Sequence, residues 1–222
     1  MRVNWSNPLT FGLRGAWMVS GTNMLGNAVR GSGVGDLNAT GSPTIVATPY
    51  GLGYNFNGSS QFLSNTENSA VTDVPCTFFI FCYQRGSNGR PLTISTGTTA
   101  DDVIGFQLAG TDTIVAQHYD GSVNAVIQAT ITQSTWYSFV ARFASNDNTA
   151  IFVNGDFIDA SNASLSPPSN INRVTLGYAP WSNSEYLDGV LALPLMWNRA
   201  LSDAEIAEVS RNAWQLFAPD PH

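Results

Sequence analysis

Carboxylates are the first residues to test for chemistry, because glycoside hydrolysis needs two of them facing one scissile bond. The chain holds only four glutamates, Glu67, Glu185, Glu205 and Glu208. Glu185 and Asp188 stand three apart in SEYLDG, at the entry to a strand, and read more simply as solvated loop carboxylates. A Ser-His-Asp arrangement would have to use His118, since His222 is terminal and no G-x-S-x-G elbow is present. His118 lies in VAQHYDG, at a strand end before an Asp-Gly turn, and is expected to be an exposed or half-buried strand histidine. Asp101 and Asp102 in TTADDV, and Asp147 in SNDNT, are calcium ligands by type but lack the spacing of a dedicated loop. Turn formation accounts for them. No catalytic residue, no metal ligand set and no cofactor are expected, and the chain reads as a non-enzyme.

Binding chemistry rests on aromatics in loops. Trp181 sits in APWSNSEY with Tyr178 and Tyr186 at its edges and Asn183 between. An amphipathic ring there offers contact area and one hydrogen bond to a sugar or a protein; alternatively Trp181 simply covers the end of the fold. Beyond the last helix, Trp214, Leu216 and Phe217 form an apolar cluster, and with Trp5 they are the candidates for a protein contact. Trp17, Trp136 and Trp197 fall in strand-like patterns and read as core.

The elements that must position these residues are mostly short strands. Thr77 to Tyr83 is apolar on both faces, as for a central strand covered on both sides. Val103 to Leu108, Thr113 to Tyr119 and Val123 to Thr130 follow at hairpin spacing. Along Trp136 to Phe143, Tyr137, Phe139, Ala141 and Phe143 share one face. Ile151 to Val153, Asn154-Gly155, then Phe157-Ile158 predicts a hairpin closed by a type I′ turn. Gly21 to Pro49 is irregular with short strands. Near the end, Ser202 and Glu205 have capping-box spacing, with Leu201 and Ile206 as a hydrophobic staple, for a helix over 203–212. Many short strands and one terminal helix predict an all-β, two-sheet antiparallel sandwich of the jelly-roll kind. The expected organisation is an N-terminal segment 1–20 docked on the sandwich or on a neighbour, a sandwich over 21–211, and a tail over 212–222.

Composition narrows the partners. The net charge is −7, all nine cations are arginines scattered along the chain, and there is no lysine, which excludes nucleic acid. MRVNWSNPLTFGL lacks the apolar run of a secretory signal, and no segment approaches 18 consecutive apolar residues, so neither export nor membrane insertion is expected. Cys76 and Cys82 lie six apart on one strand, roughly 20 Å at about 3.3 Å per residue, too far to bond.

The ordered blocks YNFNGSSQFL, CTFFIFCYQR, STWYSFVARF, AIFVNGDFI and YLDGVLALPLMWNRALSDAEIAEV resemble laminin-G-like, concanavalin-A-like domains over about residues 50 to 210. That resemblance implies a jelly roll that binds glycans or proteins or serves structurally; some relatives of the wider fold are glucanases with an alternating E-x-D-x-x-E strand, which is missing here. Where the family often has acidic residues this chain has Asn57, Ala192 and Leu193, which removes most of the hard ligands of the usual calcium site. The opening NWSNPLTFGLRGAW and the ending NAWQLFAP are similar to standalone domains of tailed bacteriophages. This implies a virion protein, assembled in the host cytoplasm as a capsid decoration or head or tail accessory. Its expected partners are other virion subunits and a second copy of itself, with cell-surface glycan in addition. The alternative is a lectin module not tied to a particle.

Overall fold

The computed structural model describes residues 1–19, 24–97, 102–122, 124–182 and 184–218. Asn183, Asp101, Val123 and His222 of the sequence reading lie outside the described residues. In chain order the strands are β1 (Arg2–Val3), β2 (Leu13–Val19), β3 (Met24–Asn27), β4 (Leu37–Thr40), β5 (Thr44–Thr48), β6 (Gly51–Asn57), β7 (Phe62–Asn65), β8 (Cys76–Gln84), β9 (Asn88–Gly89) and β10 (Leu92–Ser95). They continue with β11 (Val103–Ala109), β12 (Thr113–Tyr119), β13 (Asn124–Thr130), β14 (Trp136–Ser145), β15 (Asn148–Val153), β16 (Asp156–Ser161), β17 (Arg173–Leu176), β18 (Asp188–Trp197) and β19 (Phe217–Ala218), with helix α1 (Asp203–Arg211) before the last.

All pairings are antiparallel. One sheet runs β5-β6-β18-β8-β14-β15-β16. The other runs β13-β12-β11-β10-β17-β7-β4-β3-β2. Strand β2 also pairs with the end of β18, so it joins the two sheets. The register shift in β18 between Ala192 and Leu195 marks where that strand leaves β6 for β2. Leu193 sits in the shift at φ 46°, a conformation costly for a branched side chain, and its side chain is buried.

Two apolar layers result. Between the sheets lie Phe56, Leu63, Phe78, Ile80, Phe106, Phe139, Phe143 and Met196, all fully buried. On the outer face of the first sheet lies a second layer: Phe79, Phe81, Val140, Phe152, Leu195 and Trp197 under Val3, Leu9, Leu201, Ile206, Val209 and Leu216. The alternation read along β14 is therefore real, but both of its faces are covered. Each buried indole satisfies its N–H, Trp17 on the Gly35 carbonyl at 3.0 Å and Trp197 on the Leu9 carbonyl at 2.7 Å, as an apolar interior demands.

Helix α1 forms where capping predicts it. Ser202 accepts from the Glu205 N–H, and Glu205 accepts from the Ser202 N–H at 2.8 Å, a cap worth about 1 kcal/mol. Leu201 and Ile206 are both buried. Arg199 holds the Glu205 carboxylate with two hydrogen bonds of 2.9 and 2.7 Å. Those bonds, with the backbone at Ser202, bring the carboxyl down to about 2, so the latch stays charged well into acid. The Asn154-Gly155 turn joins Val153 to Asp156 with φ values of 54° and 90°; the second favours glycine, and a Cβ there would also crowd Ala207 and Ser210 of α1 at 3.2 Å. Asn57, where the resemblance would put an acid, accepts instead from the Ser59 and Ser60 N–H groups and shapes the turn. Cys76 and Cys82 are free and buried in β8.

One expectation is overturned. His118 is fully buried, not half exposed: it pairs in register with Ile104, whose side chain faces the inner layer, and its ring lies edge-on to Phe143 at 6.2 Å. Neither ring nitrogen has a partner. Strand alternation puts His118 on the inner face because Gln117 and Tyr119 face outward.

Burial pushes the imidazole below its ordinary value, opposed by Asp120, Asp73 and Asp102. Above about pH 6.5 it is neutral folded and unfolded and contributes no pH dependence. Below that the unfolded chain gains a proton that the folded one resists, so stability falls as pH drops. Thermal melts from pH 7.5 to 5 are expected to show a steeper loss for the native chain than for His118→Leu; equal slopes would contradict this.

Candidate ligand-binding cleft

Strand β17 ends at Leu176, which is in register with Leu92 of β10 and Leu63 of β7. One residue on, the Gly177 N–H donates to the Arg90 carbonyl at 2.8 Å, and the Leu187 N–H donates to the Gly177 carbonyl at 2.9 Å. Tyr178 and Tyr186 then form an isolated bridge, which closes the base of the loop that carries Trp181 and Glu185. Their rings stack at 4.5 Å, and Phe62 of β7 stacks on Tyr178 at 4.7 Å. Burial, followed by the neighbouring Tyr186 hydroxyl, pushes the Tyr178 phenol up. The three half-buried rings pin the loop to the end of the second sheet.

Above this base the loop folds over Arg90. The Arg90 side chain is 4% exposed. Its Nε donates to Glu185 Oε2 at 2.5 Å, its Nη1 donates to the Gln117 side-chain carbonyl, and its guanidinium lies 5.3 Å from the centroid of Trp181. Gln117 in turn donates to Asn124 at 3.0 Å. A buried cation needs such partners, since removing it from water costs several kcal/mol, and the indole face adds a cation–π contact. The half-exposed Trp181 is thereby held by a charge network and not by apolar packing alone.

Beside this network is a cleft of about 270 Å³ lined by Arg90, Val103, Gln117, Tyr119, Asn124 and Trp181. Its wall combines one indole, one phenol and two amides. The Arg90 charge is balanced by Glu185, so the described lining of the cleft carries no unpaired charge. Glu185 and Asp188 do not share a partner: Asp188 is bound by Arg85 at 2.9 Å, and Glu185 by Arg90.

Of the residues singled out in the sequence, Trp181, Tyr178 and Tyr186 converge here. Arg90, Gln117, Asn124, Tyr119 and Phe62 were missed. Only Arg90 carried any signal, as a charge wedged between Gly89 and Pro91 before an apolar strand. The contact residues at the termini part company. Leu216 and Phe217 are buried in the second apolar layer, and Trp214 is half-buried, its ring close above Gly51. Trp5 is 62% exposed. The terminal segments pair with each other: Arg2 with Ala218 and Val3 with Phe217 in register, and the Asn4 N–H on the Leu216 carbonyl at 2.7 Å.

A laminin-G model described as the concanavalin A-like lectin/glucanases superfamily matches residues 56–207. No curated protein sequence matches the chain. Among solved structures, it is similar to the binding domain of Paraclostridial Mosquitocidal Protein 1, with a TM-score of 0.73 at 13% identity over 93% of this chain and 53% of that one. It is also similar to domain 4 of AbnA, a GH43 extracellular arabinanase from Geobacillus stearothermophilus, in complex with arabinotriose: TM-score 0.72, 12% identity, 89% of this chain and 98% of that one. The binding domain of Botulinum neurotoxin DC, in complex with rat synaptotagmin II, gives 0.65 at 12% identity over 91% and 52%. At these identities the likeness is one of fold, and the chain spans about half the length of the two toxin binding domains.

Replacing Glu185 by Gln leaves Arg90 buried with less than its charge partner. The expected loss of stability in urea titration is about 2 kcal/mol, the cost of breaking a buried pair reduced for the partial exposure of Glu185. Arg90→Leu combined with Glu185→Gln is expected to cost less than the sum of the two single changes.

Proposed function

The chain belongs to the concanavalin A-like lectin/glucanases superfamily, and from that premise we propose that it is a non-catalytic binding module whose ligand is a neutral glycan. The observation that carries this reading is the Arg90–Glu185–Gln117 network, which spends its charge internally and presents Trp181 at the mouth of an amide-lined cleft whose one cation is already paired. Indole against the apolar face of a pyranose or furanose ring, with amide and phenol groups on its hydroxyls, is a sufficient recognition chemistry. The AbnA domain, of nearly the same length and bound to arabinotriose, supports a sugar over a protein ligand.

The resemblance of the opening and closing segments to phage proteins favours a further placement: an accessory component on the capsid or tail, the module displayed outward to touch host-surface sugar. The lectin not tied to a virion is the competing placement, with the same cleft.

Two measurements separate these layers. On an array of neutral oligosaccharides that includes arabinotriose, the native protein is expected to bind, and Trp181→Ala to bind at least about tenfold more weakly while still folded at the assay temperature. Absence of binding to every neutral glycan would remove the sugar reading. For the placement, mass spectrometry of purified particles is expected to find the protein in a copy number tied to particle symmetry, whereas its presence in cell lysate alone would sink the virion role.

A further inference from the structure

Among the described residues seven large apolar side chains are exposed, and six of them fall on two patches of opposite charge. The first patch lies where the N-terminal segment crosses β2 and β3. Two adjoining clefts there, about 520 and 450 Å³, share Arg30. Trp5 and Phe11 stand out at 62% and 78% exposure beside the second cleft, and Met1 and Leu52 beside the first. Arg2, Arg14 and Arg30 line these clefts, and no carboxylate does. Arg2 and Arg14 have no ion pair among the described residues, and the pair of Arg30 with Asp36 is solvent-exposed. In a chain of net charge −7 this is a concentration of cation and aromatic surface.

The second patch is the edge strand β16, DFIDAS. Phe157 and Ile158 are 53% and 44% exposed, flanked by Asp156 and Asp159, with no cation on the strand. A register shift against β15 between Ile151 and Phe152 leaves Ile158 without an opposite partner. The bulge and the two aspartates oppose extension of the sheet by another strand, so a partner must meet this edge through side chains. The four strand steps from β18 to β16 span about 19 Å, and the arginine face lies beyond β18 on the other side.

We propose that the two patches are the two halves of a head-to-tail contact between copies of this chain, the arginine and aromatic face of one seated on the β16 edge of the next. Charge selects this pairing over its alternatives. Two β16 edges facing each other bring four aspartates together, and two N-terminal faces bring Arg2 and Arg14 twice over, four arginines without an ion pair among the described residues, whereas the mixed contact pairs guanidinium with carboxylate around an aromatic centre. Because the two surfaces are different and lie on opposite flanks, the contact is heterologous: it closes into a ring or runs on as a chain. A ring or chain of copies carries many sugar clefts, which multiplies weak contacts with a surface. The contact does not depend on the cleft being a sugar site.

Light scattering coupled to gel filtration tests this on the full chain. The apparent mass is expected to rise with protein concentration and to fall with added salt. Phe11→Ser, which damages only the basic face, and the double change Asp156→Arg with Asp159→Arg, which damages only the acidic edge, are each expected to weaken self-association on the order of tenfold or more. Trp5→Ser repeats the first arm should Phe11→Ser lower the melting temperature. An equimolar mixture of the two variants has one intact face on each partner and is expected to stop at a one-to-one dimer. Trp181→Ala is expected to associate as the native chain does. A native protein that is monomeric at every concentration in low salt, variants that associate normally, or a mixture that stays monomeric would each overturn the proposal.

Discussion

Burial of the central strands of the first sheet on both of their faces is the constraint on which the rest of this structure depends. A two-layer sandwich ordinarily leaves each sheet one face to water. Here Val3 and Leu9 from the start of the chain, Leu201, Ile206 and Val209 around the helix, and Leu216 near the end all lie over Phe79, Phe81, Phe152 and Trp197. The covering is tied by the Trp197 indole on the Leu9 carbonyl and by Arg199, which bonds the Phe11 carbonyl and Glu205 together. Termini more than 200 residues apart thus complete one hydrophobic layer. What remains for recognition is the second sheet, the sheet edges and the rims.

At one rim the structure solves a local electrostatic problem in a way that fixes an indole beside a cleft. Arg90 is buried where β10 begins and β17 ends, and a buried guanidinium requires a carboxylate and further acceptors. Glu185 and Gln117 supply them from a loop and from β12, and Trp181 closes over the cation. The cost of holding a loop indole in one orientation is therefore met by a network that is structural in origin. On the proposed sugar-binding reading, a ring already held beside amides leaves little ordering to do.

Much of the framework was legible from local pattern. The capping box of Ser202 and Glu205, the staple of Leu201 and Ile206, the Asn154-Gly155 turn and the doubly apolar β8 each depend on residues within a few positions of one another. His118 shows where that reading stops. Its neighbours suggest a strand end in contact with water, yet one step of alternation turns it inward against Phe143, and parity is set by register with β11, not by composition. Leu216 and Phe217 are a second case: an apolar cluster beyond the last helix is equally suited to a partner and to the chain's own core until the opposite terminus is placed against it.

By itself the sequence determined an all-β sandwich closed by one capped helix, an acidic and lysine-free surface, and a loop aromatic bracketed by two tyrosines. These follow from short-range periodicity, turn chemistry and charge count, which need no knowledge of distant neighbours. Only the tertiary structure decided that Trp181 lies on Arg90, that Glu185 is its counter-ion across 95 positions, and that Val3, Leu9 and Leu216 cover a sheet of their own chain. Those outcomes depend on which strands become neighbours, and strand adjacency is chosen by total burial over the whole chain, a quantity no local window contains.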